Sequence, residues 1–147
     1  MISIEMILPI IPQAQMRARA AIRGGHAFTY KAAKQAQAEE SLIALMEKYR
    51  PLEPLIGPVK LFIGAYLPIP QSKSNKWKEA AAEGKVMPIT RPDLDNLQKN
   101  VLDCMTRLSF WNDDAQVVSI KAVKWYSIRP RWHIILSNYI EEGFGNA

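Results

Sequence analysis

The stretch from Arg91 to Gln116 does most to constrain the fold. Leu94, Leu97, Val101, Leu102, Met105 and Leu108 recur at helical spacing, so residues 94–108 read as a helix with one apolar stripe. Such a stripe has to be covered by a second layer. The rest of the chain supplies strands for that layer. "PVKLFIGAYLP" sets Val59, Leu61, Ile63, Ala65 and Leu67 on one face by its period of two. "QVVSIKAVKWY" and "RWHIILSNYI" alternate in the same way, and the short "SIRP" between them predicts a hairpin. "ISIEMIL" alternates more loosely and reads as a further strand. Residues 31–49 are rich in good helix formers and stop before Pro51, which predicts a second long helix. "PIIPQAQMRARAAIRGG" reads as a loop carrying Arg17, Arg19 and Arg23, and "HAFTY" as a short strand or turn. Residues 71–88 read as a mobile basic excursion around a short helical core. The expected fold is α+β: one domain over 1–147, in β-α-β-α-β-β order, with a mixed sheet packed by two main helices.

The helix at 94–108 is flanked by acids. All five aspartates of the chain, Asp93, Asp95, Asp103, Asp113 and Asp114, fall within 93–114. Each has an ordinary explanation. Asp93 can cap the helix. Asp95 with Gln98 has capping-box spacing. Asp95 and Lys99 have the spacing of an i,i+4 surface pair. Asn112-Asp113-Asp114 is common turn chemistry. Taken together they point elsewhere. In an extended chain Asp93 and Asp95 face one side, and Pro92 favours an extended residue before it. A neighbouring strand is expected to bring Asp113 or Asp114 back beside them. Three converging carboxylates repel one another, and a hard divalent cation relieves that repulsion. Oxygen-only ligands favour Mg²⁺ or Mn²⁺ over zinc. Such a site can activate water at a phosphoryl centre.

The charge distribution fits a polyanion partner. Net charge is +5, yet residues 93–114 hold five acidic and two basic side chains in an otherwise basic chain. The single cysteine, Cys104, excludes an internal disulfide and reads as a small buried hydrophobe. His26 and His133 lie far apart, and His133 alternates with core positions. Trp111, Trp125, Tyr126 and Trp132 can stack on bases, although packing is the simpler role. There is no nucleophile elbow, glycine-rich phosphate loop or CxxC. "MISIEMILPIIP" lacks a basic leader and is broken by Pro9 and Pro12. No signal peptide or membrane span is expected, and the cytoplasm is the expected compartment.

"RPDLDNLQKNVLDCMTRLSFWNDDAQVV" resembles the signature of the RusA family of Holliday-junction resolvases. The shared pattern is Asp93, Asp95, Asn96 and Lys99, then Asp103, then the Asp113–Asp114 pair before a strand. Residues 91 to about 124 carry the close match, and the N-terminal proline-arginine loop and helix carry a looser one. The resemblance implies a Mg²⁺-dependent endonuclease that acts as a homodimer on four-way DNA junctions in bacteria or phage. It places the catalytic acids and metal ligands on Asp93, Asp95 and Asp114, with Asp113 as the alternative third acid. It places the essential lysine on Lys99. A homodimer offers two matching sites to two symmetry-related strands. Arg17, Arg19, Lys73 and Lys76 are the candidates for phosphate contacts. Competing readings are a Mg²⁺ nuclease for other branched DNA, a non-catalytic DNA-binding recombination accessory protein, and a dimeric structural protein.

Overall fold

A computed structural model of the protein describes residues 2–14, 19–23, 26–30 and 33–140, with side chains described for 2–14 and 36–140. The strands are β1 (Ser3–Leu8), β2 (Arg19–Arg23), β3 (His26–Tyr30), β4 (Val59–Pro68), β5 (Val117–Ser127) and β6 (Arg131–Asn138). The helices are α1 (Ala33–Glu47), α2 (Asn75–Ala82) and α3 (Leu94–Arg107). Four strands form one sheet in the order β1-β6-β4-β5, while β2 and β3 pair only with each other. The fold class is the expected α+β, with a mixed sheet: β4 runs parallel to β5 and antiparallel to β6.

Two features differ from the sequence reading. Arg19–Arg23 forms a strand inside the segment read as a loop, pairing with "HAFTY" as an antiparallel hairpin. The expected hairpin between β5 and β6 does not form, because β4 lies between them and pairs with both. β4 is apolar on its core face, so the middle of the sheet suits it. It ends at Pro68, and the short link from Ser127 to Arg131 passes across that end. Ser127 Oγ organises this link, accepting from Arg129 N at 3.0 Å and from an Arg131 guanidinium nitrogen at 3.2 Å. The basic segment 71–88 contains the short helix expected there, α2, capped by Ser74, whose side chain accepts from Trp77 N at 3.2 Å. Trp77 packs edge-on against Tyr126 of β5 at 5.5 Å, and Ala81 is buried.

One sheet face carries the core. Met6 and Leu8 of β1, Leu61, Ile63 and Ala65 of β4, and Trp132, Ile134 and Leu136 of β6 meet Leu42 and Met46 of α1 and Leu97, Val101 and Met105 of α3. Trp111 and Trp132 are buried there, which makes them packing residues, and Cys104 is buried as expected. On the opposite face Trp125 stacks at a tilt on Tyr66 at 5.2 Å, and the Arg131 guanidinium lies 3.8 Å from the Tyr66 ring centre. Gly64 leaves room there, since a Cβ would sit 3.3 Å from the Phe62 ring and 3.4 Å from that of Tyr66. Among the described residues no helix is long and apolar enough to cross a membrane.

Candidate active site

α3 is the axis of the site. Asp93 is its N-cap residue, with extended backbone (φ −73°, ψ 142°), and its carboxylate makes no capping hydrogen bond. Its capping role is therefore one of backbone position, and its charge is left for another use. Asp95 lies in the first turn, where negative charge suits the helix dipole. Its Oδ1 accepts from Asn96 N at 3.0 Å. The ordinary alternative, an Asp95–Lys99 surface ion pair, does not form: among the described residues Lys99 has no carboxylate within salt-bridge distance. Asp93, Asp95 and Lys99 are all exposed at this end of α3.

The Asp93 loop is fixed from β5. Lys124 Nζ donates to Thr90 O at 2.8 Å and to Pro92 O at 2.9 Å. Lys124 and Tyr126 are two apart and share a face of the strand. α2, docked on Tyr126, therefore lies beside this loop. Lys73 and Lys76 are exposed on that same side of the fold, and the Lys73 ammonium sits 5.2 Å from the Trp77 ring centre. Arg17 and the Arg19 side chain lie outside the described residues.

The second pair of aspartates sits at the other end of α3. The helix stops at Leu108, and Ser109 turns the chain with a positive φ of 58°. Trp111 then donates from Nε1 to Thr106 Oγ1 at 2.9 Å. Asp113 caps a 3₁₀ turn, Asp114–Gln116. Its carboxylate accepts from Ala115 N at 2.9 Å, in a capping box with Gln116. Gln116 also staples this turn to a distant loop, donating to Leu55 O at 2.9 Å and Gly57 O at 3.0 Å. Asp113 is thus occupied by local structure. The Asp114 carboxylate is exposed, without a hydrogen bond or ion pair among the described residues. It lines a cleft of about 350 Å³ with Glu39, Asn100, Asp103, Thr106 and Arg107.

Among the described residues neither Asp113 nor Asp114 joins Asp93 and Asp95 in a group of three within one chain. α3 stands between the two groups as a rigid rod, and the pinned 3₁₀ turn keeps Asp114 at its far end. What β5 carries back is Lys124. Among the described residues no three His, Cys, Asp or Glu side chains come together closely enough to hold a metal ion. The donor chemistry suits a hard cation, since Asp93 and Asp95 offer oxygen alone. Among the described residues no three-carboxylate centre forms within a single chain.

Lys124 and Gln116 are the positioning residues that sequence reasoning missed. Both act on backbone carbonyls remote in sequence, a relation that no local motif encodes.

Comparison with known proteins gives this geometry a context. The sequence model of the family described as Endodeoxyribonuclease RusA matches residues 9–137. The chain is 37% identical over 127 residues to YqaN of Bacillus subtilis (strain 168), a protein described as uncharacterized, covering 85% of this chain and 89% of that one. It is 40% identical over 68 residues to the crossover junction endodeoxyribonuclease rusA of Lactococcus phage r1t, covering 46% of this chain and 44% of the phage protein. It is 59% identical over 34 residues to the crossover junction endodeoxyribonuclease RusA of Escherichia coli (strain K12), covering 23% of this chain and 28% of that enzyme. With most of its length matched by the family model, the chain belongs to the RusA endodeoxyribonuclease family.

Proposed function

We propose that the protein is a Mg²⁺-dependent endodeoxyribonuclease that cuts four-way DNA junctions as a homodimer, in recombination and repair within bacterial or phage-infected cells. The observation that carries the reading is the state of the family-pattern side chains. Among the described residues Asp93 and Asp114 are released from capping and pairing, Lys99 has no carboxylate partner, and the neighbouring Asp113 is spent on structure. Charged groups left exposed in this way contribute little to the fold and stay available to a ligand.

The chemistry follows from the residue types. Hydrolysis of a phosphodiester builds negative charge on the phosphoryl oxygens, and a fixed ammonium counters it best where the charge develops. Lys99, on a rigid helix turn, is suited to that task. Asp93 and Asp95 are suited to holding a hard cation, which supplies Lewis acidity when bound. Lys124 keeps Asp93 in place through the Pro92 carbonyl. Lys73 and Lys76 on the adjoining basic surface are suited to gripping the phosphate backbone.

The test is a labelled four-way junction incubated beside linear duplex, with Mg²⁺ or with EDTA. The expected result is cleavage of the junction with Mg²⁺ alone. Equal cutting of linear duplex would remove the junction specificity and leave a nuclease. Metal-independent cutting, or binding without cutting, would overturn the proposal.

A further inference from the structure

The sheet face turned away from the core takes no part in the acidic site. The three described helices all lie on the core side: α1 and α3 pack there directly, and α2 docks through Tyr126, which β5 aligns with Leu67 of the core face. On the other face the register sets Trp125, Tyr66 and Arg131 side by side across β5, β4 and β6, and Lys121 beside Phe62 one row further along. Gly64 lies between Phe62 and Tyr66 and has no side chain to hold their rings apart. Ring atoms of the two come within 3.3 and 3.4 Å of the place where its Cβ would stand, so both rings lie down over the glycine. Trp125 extends this floor, with its ring centre 5.2 Å from that of Tyr66 and the two planes inclined by 37°. The Arg131 guanidinium lies 3.8 Å from the Tyr66 ring centre and is held there, donating to Ser127 Oγ at 3.2 Å and to Arg129 O at 2.9 Å. Phe62, Tyr66, Trp125 and Arg131 are all half-buried, so part of each remains open to solvent, and Lys121 is exposed.

We propose that this face binds single-stranded DNA, with unstacked bases lying on Trp125, Tyr66 and Phe62 and the phosphates meeting Lys60, Lys121 and Arg131. An open four-stranded sheet with rings laid flat on it is a platform for bases, because every base has a π-face and a guanidinium plane stacks as a ring does. The charge has the matching sign. Lys60, Lys121 and Arg131 stand on this face, and Glu5 is the one carboxylate among its strand residues. The aspartates belong to α3 and the turn after it, so the acidic island does not oppose a strand laid here. A duplex hides its base faces in its own stack and cannot use the floor; a strand with unpaired bases can. The inference does not rest on the nuclease reading.

The test titrates the full chain, in EDTA, into a fluorescein-labelled oligothymidylate and into an abasic oligomer of the same length and charge, and reads anisotropy. The wild type is expected to bind the oligothymidylate about tenfold or more tightly than the abasic oligomer, the scale of one or two stacked bases. Trp125→Ala should lose about tenfold on the oligothymidylate and leave abasic binding unchanged. Trp125→Phe keeps a ring and should restore most of the loss, which separates stacking from a damaged fold. Lys121→Ala should weaken both oligomers alike and lower the salt slope by about 0.7, the value of one phosphate contact on a single strand. Equal wild-type binding to the two oligomers would overturn the proposal, as would a Trp125→Ala variant that still prefers bases or a Trp125→Phe variant as weak as the alanine one. Tighter binding of oligouridylate than of oligothymidylate would overturn the assignment to DNA. Absence of binding to every oligomer would overturn it too and leave the face to a protein partner. Base-dependent binding by a chain that cuts no DNA would sink the nuclease reading and keep this one; junction cleavage by a chain without base preference would do the reverse.

Discussion

Asp113 Oδ1 accepts from the Ala115 amide at 2.9 Å, while among the described residues the Asp114 carboxylate has no bond of its own. Neighbours of identical chemistry should therefore answer differently to mutation. Asp113→Ala is expected to cost about 1 kcal/mol of stability, the usual scale for a lost cap, and to retain cleavage. Asp114→Asn is expected to keep the melting temperature and stop cleavage. Thermal melts beside a junction assay separate the two, and the reverse pattern would exchange their roles. Lys99→Ala should slow cleavage roughly a hundredfold or more while junction affinity changes far less, since its charge matters most in the transition state. A near wild-type rate would return Lys99 to the surface. Lys124→Met should release the Asp93 loop and slow cleavage about tenfold or more through misplacement of the acid. Unchanged kinetics in that variant would mean that the loop holds itself. The reactive residue types were legible from spacing alone: Asp93, Asp95 and Lys99 occupy the start of a helix whose apolar stripe is plain. Lys124 and Gln116 were not legible, because their partners are carbonyls 32 to 61 residues away.

Among the elements, α3 and β4 were the most readable, since each repeats its apolar pattern at the period of its own geometry. The β5–β6 hairpin was misjudged for a physical reason. A short link between two strands permits pairing but cannot reveal a third strand that competes for both edges. β4 does so, with a long parallel ladder to β5 and an antiparallel one to β6. The strand Arg19–Arg23 was hidden by the prolines and glycines around it, which mark turns and mask the pairing between them. α2 shows how an amphipathic scrap becomes an element: Ser74 supplies the cap, and Trp77 finds Tyr126. If α2 presents Lys73 and Lys76 to DNA phosphates, Lys73→Ala and Lys76→Ala should each weaken binding and lower the salt slope by about 1. Titrations over a salt series read this directly, and an unaltered slope would make the two lysines solvated surface.

At the scale of the molecule, the aspartates cluster in sequence but divide in space. Twelve helical residues of α3, 96–107, lie between Asp95 and the second acidic pair, so closeness along the chain overstated closeness in the fold. The two-fold assembly proposed above would match the symmetry of a four-way junction, which offers two equivalent strands to be cut. The most direct measurement uses a supercoiled plasmid that extrudes a cruciform, incubated with the full-length protein and Mg²⁺. Paired incision within one encounter converts supercoiled circles straight to linear DNA, whereas independent single cuts leave nicked circles. The account predicts linear product from the outset, none in EDTA, and none from Asp93→Asn. Nicked circles as the sole early product, or supercoiled DNA left intact by the folded protein, would contradict it.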